Sequence, residues 1–454
     1  MKIRSMAWLT VPICWSVCSC GSNADNEGHT GGATDAGSDA GSDVGSSDAA
    51  LDASEDVTND TGLDGAEDSG TDGTPDADAS VEPGLLTIDD LTFQGAFRVA
   101  FGDGVSDTNY AVGTLAHNPD RNSLFIAGHA QHNAIAEFAI PQPSTASEVG
   151  ALPVVEESLQ SYVQVLDAAP GGNPEGINRV TGMLWIDGQL LVNAENWYDA
   201  SGQNEDTTLV LRDATDLGGA VDGYFELAGA AHAGGYMAPI PSEWQSALGG
   251  PFLTGWASNY SIVSRYSVGP SLFAFEPNGI LEAEPGATGP IATTRHMDFP
   301  HGGEHYMGAD ALVTEEGSAS DLWNFLSRGV YGFVVPGTRT FAVFGSSGGV
   351  DSGIGYKITQ NNGNLCGGYC AYDAADYYNY YWFFDVDEIL AATETYEPRP
   401  YAYGRWSVPF DDGGRHQIIG GTFDPSTMAL YLSLENAGQV GDYDRPPVIL
   451  VFGL

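Results

Sequence analysis

The sequence predicts an all-β protein built from repeated antiparallel hairpins. Five apolar segments each break into a small polar loop, tight-turn residues precede most of them, and the units recur about every 60 to 90 residues. A repeated unit of strand and loop is typical of stacked or radial β architectures. The five segments are Leu124–Asn133, Leu190–Asp199, Pro251–Tyr260, Phe341–Val350 and Leu430–Gln439.

The last unit shows the order of strands that the others repeat. Gln417–Phe423 forms a first strand, a turn begins at Asp424, Met428–Leu434 returns, and Val448–Gly453 follows as a third strand. Proline, glycine, asparagine and aspartate stand at the turns, where they fix φ, permit positive φ or cap the backbone. The third unit has an expanded turn, Pro239–Gly250, which we expect to hold a helical turn.

Two strands predict how the units close into a ring. Thr92–Val99 stands alone before the first hairpin, and Val448–Gly453 ends the last unit. Pairing the N-terminal strand into the last unit would leave no open sheet edge. We therefore predict a β-propeller of five blades over residues 85–454. The alternatives are seven blades, with degenerate ones in 143–180 and 277–328, and a pair of β-sandwiches.

The first twenty residues have the pattern of a secretory signal. Lys2 and Arg4 precede the short apolar run Met6–Trp15. The following Val17-Cys18-Ser19-Cys20 resembles the lipobox of bacterial lipoproteins. That resemblance implies cleavage before Cys20 and attachment of a diacylglycerol to its thiol, so that the protein would be anchored at the outer membrane or cell surface. An ordinary signal peptide is the alternative.

Residues 21–84 predict a disordered tether. They hold 17 Asp and Glu residues and no aromatic residue, Lys or Arg. Such a segment cannot bury enough apolar surface to offset its chain entropy. We expect it to act as a solvated spacer between a membrane and the folded domain.

Charge excludes one class of partner, and cysteine usage predicts a disulfide. Residues 85–454 carry 13 basic and 44 acidic residues, a net charge of −31. Such a surface repels nucleic acid, so we expect no DNA or RNA partner.

Cys366 and Cys370 are the two cysteines outside the signal segment, and in an oxidising compartment their spacing favours a local disulfide.

The segments Ser264–Phe275 and Gly420–Pro425, with the five loop segments, resemble secreted bacterial propeller proteins and, in outline, five-bladed glycosidase propellers. The resemblance covers most of 92–454 and implies the propeller fold. None of these motifs is a catalytic signature.

The predicted order of strands and loops in each blade divides the polar loop residues between two faces of the propeller. Loops that follow each second strand and loops that precede each first strand share one face, which we call the central face. Six of the eight histidines in the predicted domain fall there, and His117 and His296 fall elsewhere. The ligand-binding candidates on this face are His129, His132, Asn196, Trp197, Asn259, Arg265, Arg415, Glu435 and Asn436.

Three kinds of chemistry fit this face. In the first, histidines from different blades hold a divalent metal ion, since imidazole nitrogen is a common ligand of transition metals. The candidate ligands are His129, His232, His305 and His416.

In the second, the face binds a sugar or cleaves a glycosidic bond. Trp197, Trp256 and Tyr260 are placed to stack on sugar rings. Glu195, Asp351 and Glu435 are the candidate catalytic carboxylates. The aromatic run Tyr377–Phe384 could form a sugar platform, but its alternation favours a packed third strand.

In the third, arginines capture an anion or a protein partner. Arg265 and Arg445 stand just before two third strands, and Arg415 precedes a first strand.

We predict a lipid-anchored, extracytoplasmic protein that binds a carbohydrate or another polar ligand on the central face. A glycoside hydrolase on that face and a protein-interaction scaffold are the alternatives.

Overall fold

The computed structural model describes residues 83–100, 102, 105–199, 202–258, 265–308, 319–442 and 444–454. Five largely antiparallel sheets and one short hairpin make up its β structure. The first strand of each sheet contacts the first strands of two others, so that the five close into a ring. This arrangement is a five-bladed β-propeller, as the sequence predicts. The predicted signal 1–20 with Cys20, the tether up to residue 82, and Asn259 lie outside the described residues.

The strands of the first two blades follow one another along the chain. β1 (Thr92–Val99) comes first and belongs to the last blade. Blade 1 contains β2 (Leu115–Asn118), β3 (Ser123–Ala127), β4 (Ala134–Ala139) and, after the short strand β5 (Val154–Val155), β6 (Gln160–Gln164). Blade 2 contains β7 (Arg179–Ile186), β8 (Gln189–Glu195), β9 (Thr208–Leu211) and β10 (Val221–Leu227).

Blades 3 and 4 carry insertions. Blade 3 contains β11 (Tyr236–Pro239), β12 (Phe252–Gly255), β14 (Leu272–Phe275) and β16 (Thr293–Met297). The short strands β13 (Ala257–Ser258) and β15 (Gly289–Ile291) lie between them in the chain but pair with neighbouring blades. Blade 4 contains β17 (Arg328–Val334), β18 (Thr340–Gly348), β21 (Tyr377–Asp385) and β22 (Ala402–Arg405). A separate hairpin of β19 (Ile354–Tyr356) and β20 (Tyr369–Ala371) is inserted between β18 and β21.

Blade 5 joins the two ends of the described chain. It contains β23 (Ile418–Asp424), β24 (Ala429–Leu434) and β25 (Val448–Gly453), and β1 pairs antiparallel with β25 through Phe97 and Ile449. The closure predicted from Thr92–Val99 and Val448–Gly453 is therefore confirmed. It leaves β25 hydrogen-bonded on both sides.

The segments considered for two further blades supply parts of the five. Described residues of 143–180 provide β5, which pairs with β1, and β6, which is the outer strand of blade 1. Described residues of 277–328 provide α2 (Asn278–Leu281), β15 and β16. The expanded turn in Pro239–Gly250 holds α1 (Ser242–Leu248), as expected.

Few helices accompany the strands. α3 (Val386–Ala391) follows β21, where the Asp385 carboxylate caps its first turn by accepting from the backbone N–H of Asp387. Short 3₁₀ turns occur at Ile88–Asp90, Val149–Ala151 and Ala230–His232. Among the described residues, no helix is both long and apolar enough to cross a membrane.

The sequence explains why the middle strands form and why they turn where they do. β3 and β18 are buried along their whole length, because each lies between the sheets of neighbouring blades. Strands buried on both faces have continuous apolar runs rather than alternation. Between β7 and β8, Asp187 and Gly188 both have positive φ (48° and 80°), which is the geometry of a two-residue hairpin turn.

The inner strands pack closely around the axis. A Cβ atom at Gly182 on β7 would collide with the backbone carbonyl of Gly235, which immediately precedes β11, so only glycine allows this approach. At mid-height the buried rings of Tyr236 and Tyr331 leave a space of only about 10 Å³. The two ends of the axis therefore present separate surfaces.

Candidate functional site

A pair of charged residues, Arg179 and Glu195, lies near the axis of the propeller on the central face. Arg179 is the first residue of β7, and Glu195 is the last residue of β8. The hairpin register places the two directly opposite each other. The Arg179 guanidinium also lies 3.8 Å above the ring centre of Trp197, in the loop that follows β8. A cation over an indole face is attracted by the ring quadrupole, so Trp197 fixes the position of Arg179.

Glu195 is an unusual carboxyl because it is only 3% exposed. Burial raises its pKa above the ordinary glutamate value, although attraction to Arg179 and hydrogen bonding from Tyr266 oppose the shift. Its Oε2 atom accepts no hydrogen bond from the described residues. The arrangement places a carboxyl with a raised pKa opposite a guanidinium.

A second arginine reaches the same region from a blade that is not adjacent to blade 2. Arg328 is the first residue of β17 in blade 4. Burial lowers the pKa of its guanidinium, and attraction to Glu435 and Glu195 opposes this shift. Arg179 and Arg328 also repel each other, which lowers the pKa of Arg179 further. We call Arg179, Glu195, Arg328 and Glu435 the axial cluster.

A cleft opens beside the axial cluster on the central face. It consists of a cavity of about 630 Å³ and an adjoining cavity of about 480 Å³, which share Asp373, Ala375, Tyr377, Gly413 and Gly414. Glu435 lines the first cavity and thereby connects the cleft to Arg328. The other lining residues are Asn361, Asn362, Ala374, Asp412, Arg415 and Gln417 in the first cavity, and Asp351, Ser352, Asp376, Tyr378, Arg405, Trp406, Ser407 and Asp411 in the second.

One wall of the cleft is the insertion between β18 and β21. Its strands β19 and β20 pair in an antiparallel register, and the predicted disulfide between Cys366 and Cys370 forms beside β20. The Asp376 carboxylate accepts from the backbone N–H and hydroxyl of Ser352 at 2.8 Å each. These contacts hold the insertion against the start of β21.

The opposite wall is the loop that leads into β23. Asp411 accepts from the backbone N–H groups of Val408 and Gly413. Asn379 on β21 donates to the backbone carbonyl of His416 at 3.0 Å. A Cβ atom at Gly414 would collide with the Tyr377 carbonyl, so the loop packs directly on β21.

The floor of the cleft carries half-buried aromatic rings at the start of β21 and after β22. Tyr377 and Tyr378 begin β21, and Trp406 follows β22. Burial raises the pKa of Tyr378 to about 12. The run Tyr377–Phe384 is therefore a third strand, as its alternation favours, and its first two residues also line the cleft.

Two predicted residues form exposed ion pairs in the cleft. Asp351 pairs with Arg405 at 2.7 Å, and the Arg405 guanidinium lies 4.1 Å above the ring centre of Tyr378. Arg415 pairs with Asp412 at 3.0 Å. Exposed pairs contribute little stability, so these four side chains can exchange partners at small cost when a ligand enters.

Other predicted residues lie outside the cleft and have local partners. The rings of His129 and His132 stack at 4.5 Å after β3, and His132 contacts the Ser106 hydroxyl at 3.2 Å. Arg265 pairs with Asp199 at 2.7 Å.

Two of the predicted ligand-binding residues, Asn196 and Asn436, have amide side chains that hold their own loops in place. Asn196 donates to the backbone carbonyl of Glu175 at 3.1 Å, which orders the loop after β8. Asn436 donates to the Glu435 carboxylate at 3.2 Å and so positions a residue that lines the cleft.

The structure does not assemble the four candidate metal ligands into one site. His232 contacts the Asp298 carboxylate at 2.6 Å, His305 stacks on Tyr396 at 3.8 Å, and His416 contacts the backbone carbonyl of Glu435 at 2.8 Å. Within the described residues, no group of three or more His, Cys, Asp or Glu side chains is arranged to hold a metal ion.

Sequence reasoning missed Arg179, Arg328 and the cleft residue Trp406, and it favoured a packed strand for the run that contains Tyr378. The two arginines hold the same position, the first residue of an inner strand, in blades 2 and 4. A search for charged residues at that repeated position would have found them. No comparable signal marks Trp406, which reaches the cleft because β22 ends beside it.

The opposite end of the axis has a smaller, apolar cavity of about 270 Å³. Leu184, Met237, Phe252 and Phe423 contribute to its lining. His117, which the sequence placed away from the central face, also lines it. Its apolar lining distinguishes it from the polar cleft.

No protein-family model and no curated protein matches the chain. Solved propeller structures are similar at low identity. One, described as U3-55K, is 11% identical and covers 82% of this chain and 100% of its own, with a TM-score of 0.29. The WD40 repeats of RRP9 are 10% identical over 82% of this chain and 99% of their own, with a TM-score of 0.28.

A third structure is described with the GH130 family of mannoside phosphorylases, which contains glycoside hydrolases that target β-1,2 mannosidic linkages in Candida mannan. It is 8% identical over 82% of this chain and 96% of its own, with a TM-score of 0.33. Similarity at this level is consistent with the propeller fold and says nothing about the function of this chain.

Proposed function

We propose that this protein binds a carbohydrate in the cleft on its central face. The observation that carries the proposal is the row of half-buried rings, Tyr377, Tyr378 and Trp406, next to carboxylates such as Asp376 and Glu435. Aromatic rings offer a flat apolar surface to the C–H face of a sugar. Carboxylates and amides beside them accept and donate hydrogen bonds to its hydroxyl groups.

The dimensions of the cleft support a ligand of this kind. Its two cavities, about 630 and about 480 Å³, fall in the range of small-molecule sites. The ion pairs Asp351–Arg405 and Arg415–Asp412 are exposed and can rearrange towards a polar ligand.

A binding assay with the full-length protein tests this proposal. Neutral and charged oligosaccharides are screened by thermal shift, since a ligand of the native state raises the unfolding temperature. Hits are titrated against the wild type and Tyr377→Ala. Loss of a stacking ring is expected to weaken binding roughly three- to tenfold.

Tyr403→Ala provides the control, because Tyr403 is an exposed tyrosine on β22 that does not line the cleft. It should leave the affinity unchanged. If no oligosaccharide binds, the carbohydrate proposal fails and a protein-interaction scaffold becomes the better hypothesis.

A glycoside hydrolase is the second candidate, and the observation that favours it is a second carboxyl, Glu195, near the axis beside the cleft that Glu435 lines. A glycosidase uses a pair of carboxyl groups in different environments. Glu195 is buried, which raises its pKa, whereas Glu435 faces the cleft. Asp351 suits either role less well because Arg405 neutralises it.

Product analysis separates a hydrolase from a binding protein. Incubation of a bound oligosaccharide with wild-type protein should release shorter sugars, and Glu435→Gln should abolish the release. An intact oligosaccharide after prolonged incubation would exclude hydrolysis of that substrate and leave binding as the function.

We also propose that a lipid on Cys20 anchors the protein outside the cytoplasm, on the basis of the lipobox resemblance of Val17–Cys20. Labelled palmitate fed to expressing bacteria should appear in the wild-type protein and not in Cys20→Ser. Label that is retained in the variant would contradict this proposal.

A further inference from the structure

The two arginines of the axial cluster differ from most arginines of this protein. Seven other arginines form ion pairs within 4.0 Å, namely Arg121, Arg212, Arg265, Arg295, Arg339, Arg405 and Arg415. Among the described residues, neither Arg179 nor Arg328 has an ion-pair partner within 4.0 Å or a side-chain hydrogen bond. Guanidinium groups with unused donors are costly to hold in a partly enclosed site.

The fold holds these two groups on two blades that are separated by blade 3. Arg179 begins the inner strand of blade 2, where the Trp197 ring supports its guanidinium at 3.8 Å. Arg328 begins the inner strand of blade 4, with the neighbouring Ser327 hydroxyl bonded to Ser347 at 2.9 Å. Each residue is partly exposed at the end of its strand.

The charges around the two arginines do not remove their capacity for an anion. Glu195 faces Arg179 in the hairpin register, but it is buried among Tyr266 and Trp256 and its Oε2 atom accepts no hydrogen bond from described residues. Glu435 approaches Arg328 from the cleft. In a domain with a net charge of −31, Arg179 and Arg328 are two cations that lack an ion-pair partner within 4.0 Å among the described residues.

We propose that Arg179 and Arg328 bind the anionic group of an acidic glycan, a carboxylate or a sulfate ester, whose sugar rings lie in the adjoining cleft. Glu435 marks the junction, because it lines the cleft and interacts with Arg328. Guanidinium groups bind carboxylate and sulfate oxygens through paired, charge-assisted hydrogen bonds. This inference rests on the proposed function and adds the chemical class of its ligand.

The test compares matched oligosaccharides by calorimetry with the full-length protein. The probes are a galacturonic acid oligosaccharide, a sulfated galactose oligosaccharide and the neutral galactose oligosaccharide of equal length. The variants are Arg179→Gln and Arg328→Gln. Arg445→Gln is the control, since Arg445 is exposed and lines neither the cleft nor the axial cluster.

The wild type should bind at least one charged oligosaccharide about tenfold or more tightly than the neutral one, because hydrogen bonds to charged groups contribute that much. Each axial variant should abolish this preference and leave the affinity for the neutral sugar within about twofold. The control should retain both affinities. The two probes also distinguish a carboxylate ligand from a sulfate ligand.

Two other outcomes separate this inference from the proposed function. Equal affinity of the wild type for charged and neutral sugars overturns the anion site and leaves carbohydrate binding intact. If no oligosaccharide binds, the proposed function fails, and with it the glycan ligand. Titration with sodium sulfate then tests the arginines themselves, and the absence of saturable binding that depends on Arg179 and Arg328 overturns the anion site as well.

Discussion

Arg179 and Glu195 occupy facing positions at the open end of the β7–β8 hairpin. The two-residue turn at Asp187 and Gly188 and a β-bulge between Val180 and Gly182 together set this register, so local features of one hairpin decide that these two charges face each other. Glu195 is nearly inaccessible, whereas Arg179 is half-buried. The pair therefore combines a buried carboxyl, whose pKa is raised, with a cation that is partly exposed.

Replacement of Glu195 should change how stability depends on pH. Burial raises the pKa of Glu195 in the folded protein above its unfolded value. The stability that its protonated form contributes is therefore present below the ordinary glutamate pKa and is lost as the pH rises through the raised pKa. Glu195→Gln keeps the shape and removes this titration.

The free energy of unfolding of Glu195→Gln, relative to that of the wild type, should increase as the pH rises from about 4 through the raised pKa of Glu195. Urea unfolding at a series of pH values measures it. A difference that stays constant over this range would show that Glu195 does not titrate as inferred.

His117 should give a pH dependence of the opposite sign. Burial lowers its pKa, although attraction to Asp424 opposes the shift. A histidine with a lowered folded pKa contributes stability above the ordinary histidine pKa, and this contribution is lost as the pH falls through the lowered pKa. His117→Gln should therefore lose less stability than the wild type between about pH 7.5 and about pH 5.

Thermal unfolding across that range measures the effect. At about pH 8 both side chains are neutral, so any remaining difference there reports packing alone. Parallel stability curves for the two proteins would contradict the prediction.

Ring closure predicts a large effect of one residue on β1. Phe97 is 1% exposed and faces Ile449 of β25 in the strand that closes blade 5. Phe97→Ala should lower the free energy of unfolding by about 3–5 kcal/mol, through lost burial and a residual cavity. Chemical denaturation measures this change.

Leu85→Ala is the matched control, because Leu85 precedes the same strand but is 38% exposed. It should change the free energy of unfolding by no more than about 0.5 kcal/mol. Similar small effects of both substitutions would show that β1 contributes little to closure.

The disulfide should stabilise the cleft wall more than the propeller as a whole. Cys366 and Cys370 close a short loop beside β20, and closure of such a loop is worth about 2 kcal/mol in the chain-entropy model. The double substitution Cys366→Ser and Cys370→Ser should increase hydrogen exchange in β19 and β20.

Exchange in β21 serves as the internal reference, since this strand is paired on both sides within blade 4. It should be unchanged. Equal increases in the hairpin and in β21 would instead indicate that the disulfide supports the entire blade.

Much of the fold could be predicted from the sequence because local patterns determine it. The turn that begins at Asp424 and the bounds of the strands Thr92–Val99 and Val448–Gly453 were visible as turn chemistry and apolar runs. The outer strands were not located, because strands such as β16 and β22 are short and partly exposed and have no clear alternation. Their pairing depends on the free edge of the preceding strand.

The candidate site could be predicted only in part. Glu195, Trp197, Asp351, Arg415 and Glu435 were selected from the sequence, and the structure places each of them in or beside the axial cluster or the cleft. The histidines were grouped because their loops share a face, but His232 and His305 have partners within their own surroundings. Sharing a face does not bring side chains together.

The sequence by itself determined the repeat, the turns, the acidic charge and the strands that close the ring, since these depend on residues near one another in the chain. Only the tertiary structure decided that Arg179 and Arg328 lie near enough for their charges to repel each other and that Tyr377 and Trp406 share a cleft. They lie far apart in sequence or on different strands, and the curvature of the ring and the register of each hairpin set their distances. The physical reason is that the chain specifies each blade locally, whereas a site between blades exists only once all five have packed.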